Sequence, residues 1–292
     1  MNKKLTKKRL FIYLFISFAL VWIPTIAYDV TGGNYDSPMM KLILAYSMLC
    51  PGMAVLITRQ ITGEGIALVG KDSLQLGIDF TNKKWIWFVV GFIAPVLYCD
   101  LGQLLFMAIF PETYHPAGFD AIELSGGYLV LISVSGWVTG IVGSFGALGE
   151  EIGWRTYLYP KLEELMGPVK AVIVGGIIWG AWHYPAICMG HTFGTGYWGE
   201  PWSGFFVFTV SSISMGALLY LVTKKTGSVW PAAIMHAVNN SGTRALILCL
   251  DTGELTGIWS EMPVQILIGD SVLNLMGVIS MVMLSRLDQQ EQ

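Results

Sequence analysis

The chain has 292 residues, of which 54% are hydrophobic and 13% charged, and its mean hydropathy is +0.59. Soluble domains carry roughly a quarter of their residues as charges, so composition excludes a soluble enzyme. A net charge of -3 and a pI near 5.8 leave no basic field for phosphate backbones, which excludes nucleic acid as a partner.

A bilayer-crossing helix needs about 20 mostly apolar residues. Lys3, Lys4, Lys7, Lys8 and Arg9 precede an apolar run from Leu10 to Ala27. That run is too long for a typical signal-peptide core and no small-residue cleavage site follows, so it is read as a first, uncleaved span. Further spans are predicted near 39–60, 85–110, 129–158, 169–188, 203–223, 228–250 and 264–284, giving eight crossings. The fourth has two readings. It either stops at Leu148, before a charged cluster, or carries that cluster into the bilayer and ends near Pro160. The polar insertion from Thr62 to Lys84 contains an alternating segment, Leu74 to Phe80, expected as a short interfacial strand or amphipathic piece.

The expected fold is therefore an all-α, polytopic membrane bundle. Residues 1–127 hold the N-terminal helices, 128–250 the chemically distinctive core, and 251–292 a last helix and tail. Basic residues favour the cytoplasmic flank of a span. With the N-terminus inside, fifteen of the seventeen Lys and Arg residues fall on inner segments, leaving Lys41 and Arg244 toward the outside. Both termini are then cytoplasmic. Trp22, Trp85, Trp87, Trp198, Trp202, Trp230 and Trp259 fall near span ends, where interfacial anchors belong. Cys50, Cys99, Cys188 and Cys249 are scattered among apolar stretches without CxxC spacing and read as small buried hydrophobes.

Ionisable groups are costly inside a bilayer and mark functional sites or structural pairs. Three clusters stand out: Glu150-Glu151-Ile152-Gly153-Trp154-Arg155, Trp179-Gly180-Ala181-Trp182-His183, and His236-Ala237-Val238-Asn239-Asn240. Glu151 and Arg155 are spaced for an i,i+4 ion pair with the acid N-terminal. Glu150 is left without that partner and is the candidate general base. Taken alone, each cluster has a plain structural reading: a solvated helix end, a satisfied core histidine, an interhelical hydrogen-bond pair. Their conjunction on neighbouring spans, at depths of about 12–20 Å by helical rise, favours one polar layer. A carboxylate that deprotonates water, a histidine that orients it and a His/Asn pair that donates to an oxyanion are the parts of peptide hydrolysis. Ser125, Ser135 and Ser144 lack a G-x-S-x-G elbow, which argues against a serine mechanism. His191, in Gly190-His191-Thr192-Phe193-Gly194, reads as an exposed loop histidine, and His115 likewise.

In order and spacing, Glu150-Glu151-xxx-Arg155, Trp179-xxx-His183 and His236-xxx-Asn240 resemble the EExxxR, aromatic-xxx-H and HxxxN motifs of the CPBP family (Abi, or type II CAAX prenyl endopeptidases) of intramembrane proteases. The motif region covers about Ser133 to Ala245, and Trp179 stands where the family most often has Phe. The resemblance implies that Glu150 with His183 activates water, that His236 and Asn240 stabilise the oxyanion, and that Glu151 with Arg155 holds Glu150 in place. It also implies an intramembrane cavity opening toward the cytoplasm and inner leaflet. Its substrates would be membrane-associated peptides or lipidated proteins, with bacteriocin-like peptides included. Zinc is open: Glu150, His183 and His236 could supply three ligands, but there is no HExxH and the same residues suffice without metal. The alternative is a non-catalytic membrane scaffold or a bacteriocin self-immunity protein, in which the polar cluster only specifies packing.

Overall fold

The computed structural model describes residues 3–115, 126–241 and 249–291, the side chains of 126–136 and 291 excepted. Ser125, Arg244 and most of the connection between Pro111 and Gly127 lie outside the described residues, as does the Ser135 side chain. The architecture is all-helical. Among the described residues the β structure is an isolated bridge between Tyr114 and Leu250. The Leu74–Phe80 segment forms no strand. It runs irregularly, bonded to residues 67 and 68, and its Gln75 carbonyl accepts the Val229 N–H while the Leu76 carbonyl accepts the Trp230 indole N–H.

The helices are α1 Lys3–Val30, α2 Pro38–Ser47, α3 Cys50–Thr62, α4 Trp85–Ile109, α5 Gly126–Gly153, α6 Tyr159–Met166, α7 Pro168–Trp182, α8 Tyr184–Cys188, α9 Trp202–Thr226, α10 Trp230–Asn240, α11 Met262–Gly269 and α12 Ser271–Glu291. Local signals explain their ends. Ser37 accepts the Met40 N–H at 3.1 Å and Pro38 opens α2, the usual arrangement of a polar cap followed by a proline. Gly63 and Gly227 close α3 and α9 at φ of 68° and 67°, a conformation cheap only for glycine.

Four helices, α1, α4, α9 and α12, are long and apolar enough to cross a membrane among the described residues, and the pair α2 and α3, bent by 43°, makes a fifth. With the α5 helix of 28 residues beside them, this is the fold of an integral membrane protein. Outward side chains such as Phe11, Phe15, Val142 and Phe145 are each more than two-thirds exposed, as lipid-facing positions should be.

Several of the spans expected from hydropathy are broken or shortened among the described residues, and the count of eight is not established. The second breaks between Ser47 and Cys50, the fifth at His183, and the seventh ends as α10 at Asn240. The eighth breaks at Asp270, where Ser211 donates to the Asp270 carboxylate at 2.5 Å and Ser214 donates to Asn274 at 2.7 Å. Hydropathy is blind to such breaks because the side chains that hold them are few and short. The longer reading of the fourth span is the observed one: α5 runs without interruption through Glu150 and Glu151 to Gly153.

Helix α10 lies against α5 and α4, α9 against α7 and α12, and α3 against α5, so the three motif-bearing helices are packed by neighbours on both sides. Trp22 donates its indole N–H to the Trp182 carbonyl, and Trp182 donates to the Ser17 carbonyl, which ties α1 to the end of α7.

A second polar knot joins α1, the end of α3 and α6. Glu64 receives bonds from Tyr157 Oη at 2.7 Å, Lys161 Nζ at 2.8 Å and Thr62 Oγ1 at 2.8 Å, with Arg9 Nε at 3.4 Å. Burial by itself would raise this carboxyl, but the bonds from Lys161, Tyr157 and Thr62 outweigh it and hold Glu64 below its ordinary value. A depressed folded-state value means the stabilisation is present above the unfolded glutamate range and is lost as pH falls through the folded value. Glu64→Gln is therefore expected to lower the thermal midpoint at pH 7, with the gap from wild type closing below roughly pH 4. Melting curves of both proteins across that range check it.

Candidate active site

The site begins with a close approach. At Gly149 an added Cβ would lie 2.5 Å from the Met48 carbonyl oxygen and 2.8 Å from Leu49 Cα, so glycine alone lets the α2–α3 break sit against α5 beside Glu150. After Gly153, α5 widens into a single π turn, Trp154–Leu158, before α6 begins. Such turns concentrate at functional sites because they re-aim neighbouring side chains.

Glu150 is 2% exposed, and its Oε2 accepts two indole N–H bonds, from Trp154 at 3.2 Å and from Trp179 on α7 at 2.9 Å. Glu151, fully buried, faces two bases: its Oε2 lies 3.0 Å from Arg155 Nε and its Oε1 2.7 Å from His236 Nδ1 on α10. An ionised carboxylate only accepts, so His236 carries hydrogen on Nδ1. The buried Arg155 guanidinium lies 4.3 Å from the Trp179 ring centroid and 4.9 Å from that of Tyr159, which places its charge against one carboxylate and two ring faces. Glu151 and Arg155 thus hold each other and His236, whereas Glu150 is held by indoles.

Trp179 is the common neighbour of the cluster. Besides Glu150 and Arg155 it meets the His236 ring edge-on at 5.6 Å and the His183 ring at 6.2 Å. His183 Nδ1 lies 2.9 Å from the Trp179 carbonyl, an acceptor, so that nitrogen also carries hydrogen, which in a neutral ring leaves the lone pair on Nε2. Asn240 stands one turn beyond His236 and is exposed while His236 is 4% exposed. The amide of Asn240 is oriented by its neighbours: Tyr98 Oη donates to Asn239 Oδ1 at 2.7 Å and Asn239 Nδ2 donates to Asn240 Oδ1 at 3.2 Å.

Several members of this arrangement escape a reading of motifs. Trp154 was signalled only by its i+4 spacing from Glu150. Trp179 supplies more than an aromatic wall, since a Phe there has no N–H to give. Asn239 and Tyr98 carry no motif. His191 is not an exposed loop histidine: it is half-buried, its Nδ1 is 2.7 Å from Tyr35 Oη, and its ring runs parallel to that of His183 at 6.1 Å.

Among the described residues, no group of three or more His, Cys, Asp or Glu side chains is arranged to hold a metal ion. Glu150 Oε2 already takes two indole bonds, His236 Nδ1 faces Glu151 and His183 Nδ1 faces a carbonyl. These bonds leave Glu150 Oε1, His183 Nε2 and His236 Nε2 as the atoms that would face a metal or a water, and no step is derived through a metal.

Trp179→Phe keeps the ring over Arg155 and removes the N–H to Glu150. A hydrogen bond to a charged group contributes about 1.5–3 kcal/mol, so on the hydrolytic reading of the motifs the variant is expected to fold and to cleave substrate about tenfold or more slowly. Steady-state cleavage together with a thermal melt checks both halves.

The fold and the site define a helical membrane protein with a buried acid–imidazole cluster shared by three packed helices. A family model described as type II CAAX prenyl endopeptidase Rce1-like matches residues 132–242, which run from α5 just past α10. The chain is also 24% identical over 254 residues to CAAX prenyl protease 2 of Methanococcus maripaludis, covering 85% of this chain and 88% of that protein. The chain is thus similar to the Rce1-like CAAX prenyl endopeptidases over the segment that carries the site, and the likeness supports an intramembrane endopeptidase function.

Proposed function

We propose that the protein hydrolyses a peptide bond near the C-terminus of a membrane-associated substrate, with Glu150 as general base and no resident metal. Oε2 of Glu150 is anchored by the two indoles, and Oε1 is assigned to the attacking water. His183 Nε2 accepts that water's second hydrogen and orients it. Glu150 takes a proton as the water oxygen bonds to the carbonyl carbon, and the negative charge collects on the former carbonyl oxygen. His236 and Asn240 donate to that oxyanion. Glu151 balances the charge of a His236 ring protonated on both nitrogens, and the Asn239 bond leaves the donor end of the Asn240 amide for the substrate. The carbon–nitrogen bond then breaks as Glu150 returns its proton to the leaving amine.

The observation that carries this reading is the gathering of Glu150, His183 and His236 around one indole, Trp179, within the family-matched segment. The rise in exposure along α10 from His236 to Asn240 favours approach of the substrate from the Asn240 side. Both termini are assigned to the cytoplasm by the distribution of Lys and Arg. The name of the archaeal relative, CAAX prenyl protease 2, makes a prenylated C-terminal peptide the first substrate to try.

The test is cleavage of such a peptide, with and without its lipid, by protein reconstituted in vesicles, in the presence and absence of a chelator. Release of the C-terminal residues from the lipidated peptide, unchanged by chelation, is the expected result. Loss of activity on chelation that zinc restores would overturn the metal-free chemistry. A folded protein that cleaves neither peptide would favour the scaffold or self-immunity role.

A further inference from the structure

Residues 63–84, which join α3 to α4, form neither helix nor strand, yet they are tightly held. Arg59, buried near the end of α3, donates from Nη2 to the Asp72 carbonyl at 2.7 Å and from Nη1 to the Gly65 carbonyl at 3.3 Å. The Leu74 and Leu76 N–H groups donate to the Ala67 and Leu68 carbonyls at 2.9 and 2.8 Å, and Ser73 and Leu74 are buried. Asp72 and Gln75 hold φ angles of 56° and 51°, which side chains rarely adopt and which persist only where the surroundings fix them. The segment also reaches the site. Its Gln75 carbonyl accepts the Val229 N–H at 2.9 Å and its Leu76 carbonyl the Trp230 indole N–H at 3.0 Å, so it straps the start of α10, the helix of His236 and Asn240.

The outward side of this strap is apolar where a water-facing connection would be polar. Ile66, Leu68, Val69, Ile78 and Phe80 are each more than half exposed. Val69 Cγ1 lies 3.1 Å from the position a Cβ would take on Gly77, next to Ile78, and the Phe80 ring meets that of Phe88 on α4 edge-on at 4.9 Å. The surface then continues onto Trp85, Ile86 and Val89, exposed positions of the same spanning helix. A rigid, exposed apolar surface marks a contact, and continuity with the lipid-facing side of α4 makes lipid the occupant. Charge narrows the choice. Arg9 Nε approaches Glu64 at 3.4 Å, so the strap lies at the same end of the bundle as the basic start of α1. Lys3, Lys7, Lys8, Lys71 and Lys83 are exposed there, while Glu64 and Asp79 are engaged by Lys161 and Lys84 at 2.8 Å each. Asp72 and Glu164 stand beside Lys71 and leave the balance positive, which suits anionic headgroups.

We propose that residues 63–84 dock on an anionic leaflet: residues 66–69 and 78–80 sit at the boundary between headgroups and acyl chains, the flanking lysines select anionic lipid, and the Gln75 and Leu76 carbonyls seat the start of α10 on a support fixed in the membrane. The inference goes beyond the hydrolytic reading and does not rest on it. It gives a segment outside the family-matched residues 132–242 a lipid to bind and a helix to hold.

The test places a fluorescent dye on Val69→Cys in the full chain, reconstituted in phosphatidylcholine vesicles. Cys50 and Cys249 are buried, and Cys99→Ala and Cys188→Ala remove the other two thiols. Glu254→Cys, on an exposed connection, carries the dye as a reference for water. Should Val69→Cys lower the thermal midpoint, Ile66→Cys takes its place. Lipid brominated on the acyl chain near the headgroup should quench the dye at Val69 and not at Glu254, and iodide in the buffer should do the reverse. Brominated phosphatidylglycerol, added as a minor component, should quench the Val69 dye about fivefold more effectively than brominated phosphatidylcholine at the same mole fraction, the worth of one lysine near an anionic surface. Lys71→Gln with Lys83→Gln should bring the two lipids closer together. A Val69 dye open to iodide and untouched by brominated lipid would overturn the docking, and so would one shielded from both, as beneath a partner protein or a second copy. Equal quenching by the two lipids would overturn the selection of anionic headgroups.

Discussion

Glu151→Ala is expected to cost about 3–5 kcal/mol of stability, the usual penalty for breaking a buried ion pair from one side. Arg155 is wholly buried, and Glu151 is its carboxylate partner at 3.0 Å. Its guanidinium would keep the faces of Trp179 and Tyr159 but lose its counter-charge, and His236 would lose the acceptor of its Nδ1 hydrogen. Cation–π contacts amount to about 0.5–2 kcal/mol, too little to offset an unpaired buried charge. The double variant Glu151→Leu with Arg155→Leu removes both charges together and should recover much of the lost stability. Thermal melting of wild type, the single variant and the double variant in one detergent checks the sequence of effects. Equal midpoints for wild type and Glu151→Ala would show that the pair does not hold this part of the bundle.

Glu150→Gln should do the opposite, sparing the fold and removing the chemistry. The amide has nearly the same shape and its oxygen can still accept an indole N–H, so the packing against Trp154 and Trp179 persists. What it cannot do is accept a proton from water. A positioned general base contributes about 10²–10⁴-fold, and in the proposed mechanism the same group also returns the proton to the leaving amine, so a loss of about a thousandfold or more is expected. Peptide affinity should be retained, because the proposed mechanism has Glu150 meet the water and not the substrate's recognition groups. Titration of a lipidated peptide into Glu150→Gln, read as a dissociation constant, checks that half of the expectation.

The class of the fold was legible in the sequence because it depends on a bulk property. Runs of about 20 apolar residues have few soluble homes, and α1, α4 and α9 follow those runs closely. The breaks were not legible. Gly149 admits the Met48–Leu49 turn, and Ser211 holds Asp270, through contacts between elements distant in the chain. The chemically distinctive residues were found by their rarity in apolar surroundings, and their spacing anticipated the Glu151–Arg155 pair. The wiring among them needed three dimensions. That Glu151 reaches His236, that Glu150 is held by indoles, and that His191 stacks beside His183 all depend on how α5, α7, the α8–α9 connection and α10 meet.

The most direct test is single-turnover cleavage of one prenylated peptide by wild type and by Glu150→Gln in matched vesicles, with product mass as the readout and thermal midpoints measured on the same preparations. Product from wild type, with the variant equally stable and slower by about three orders of magnitude, is the predicted result. A variant that keeps a tenth or more of the wild-type rate would place the base elsewhere and contradict the account.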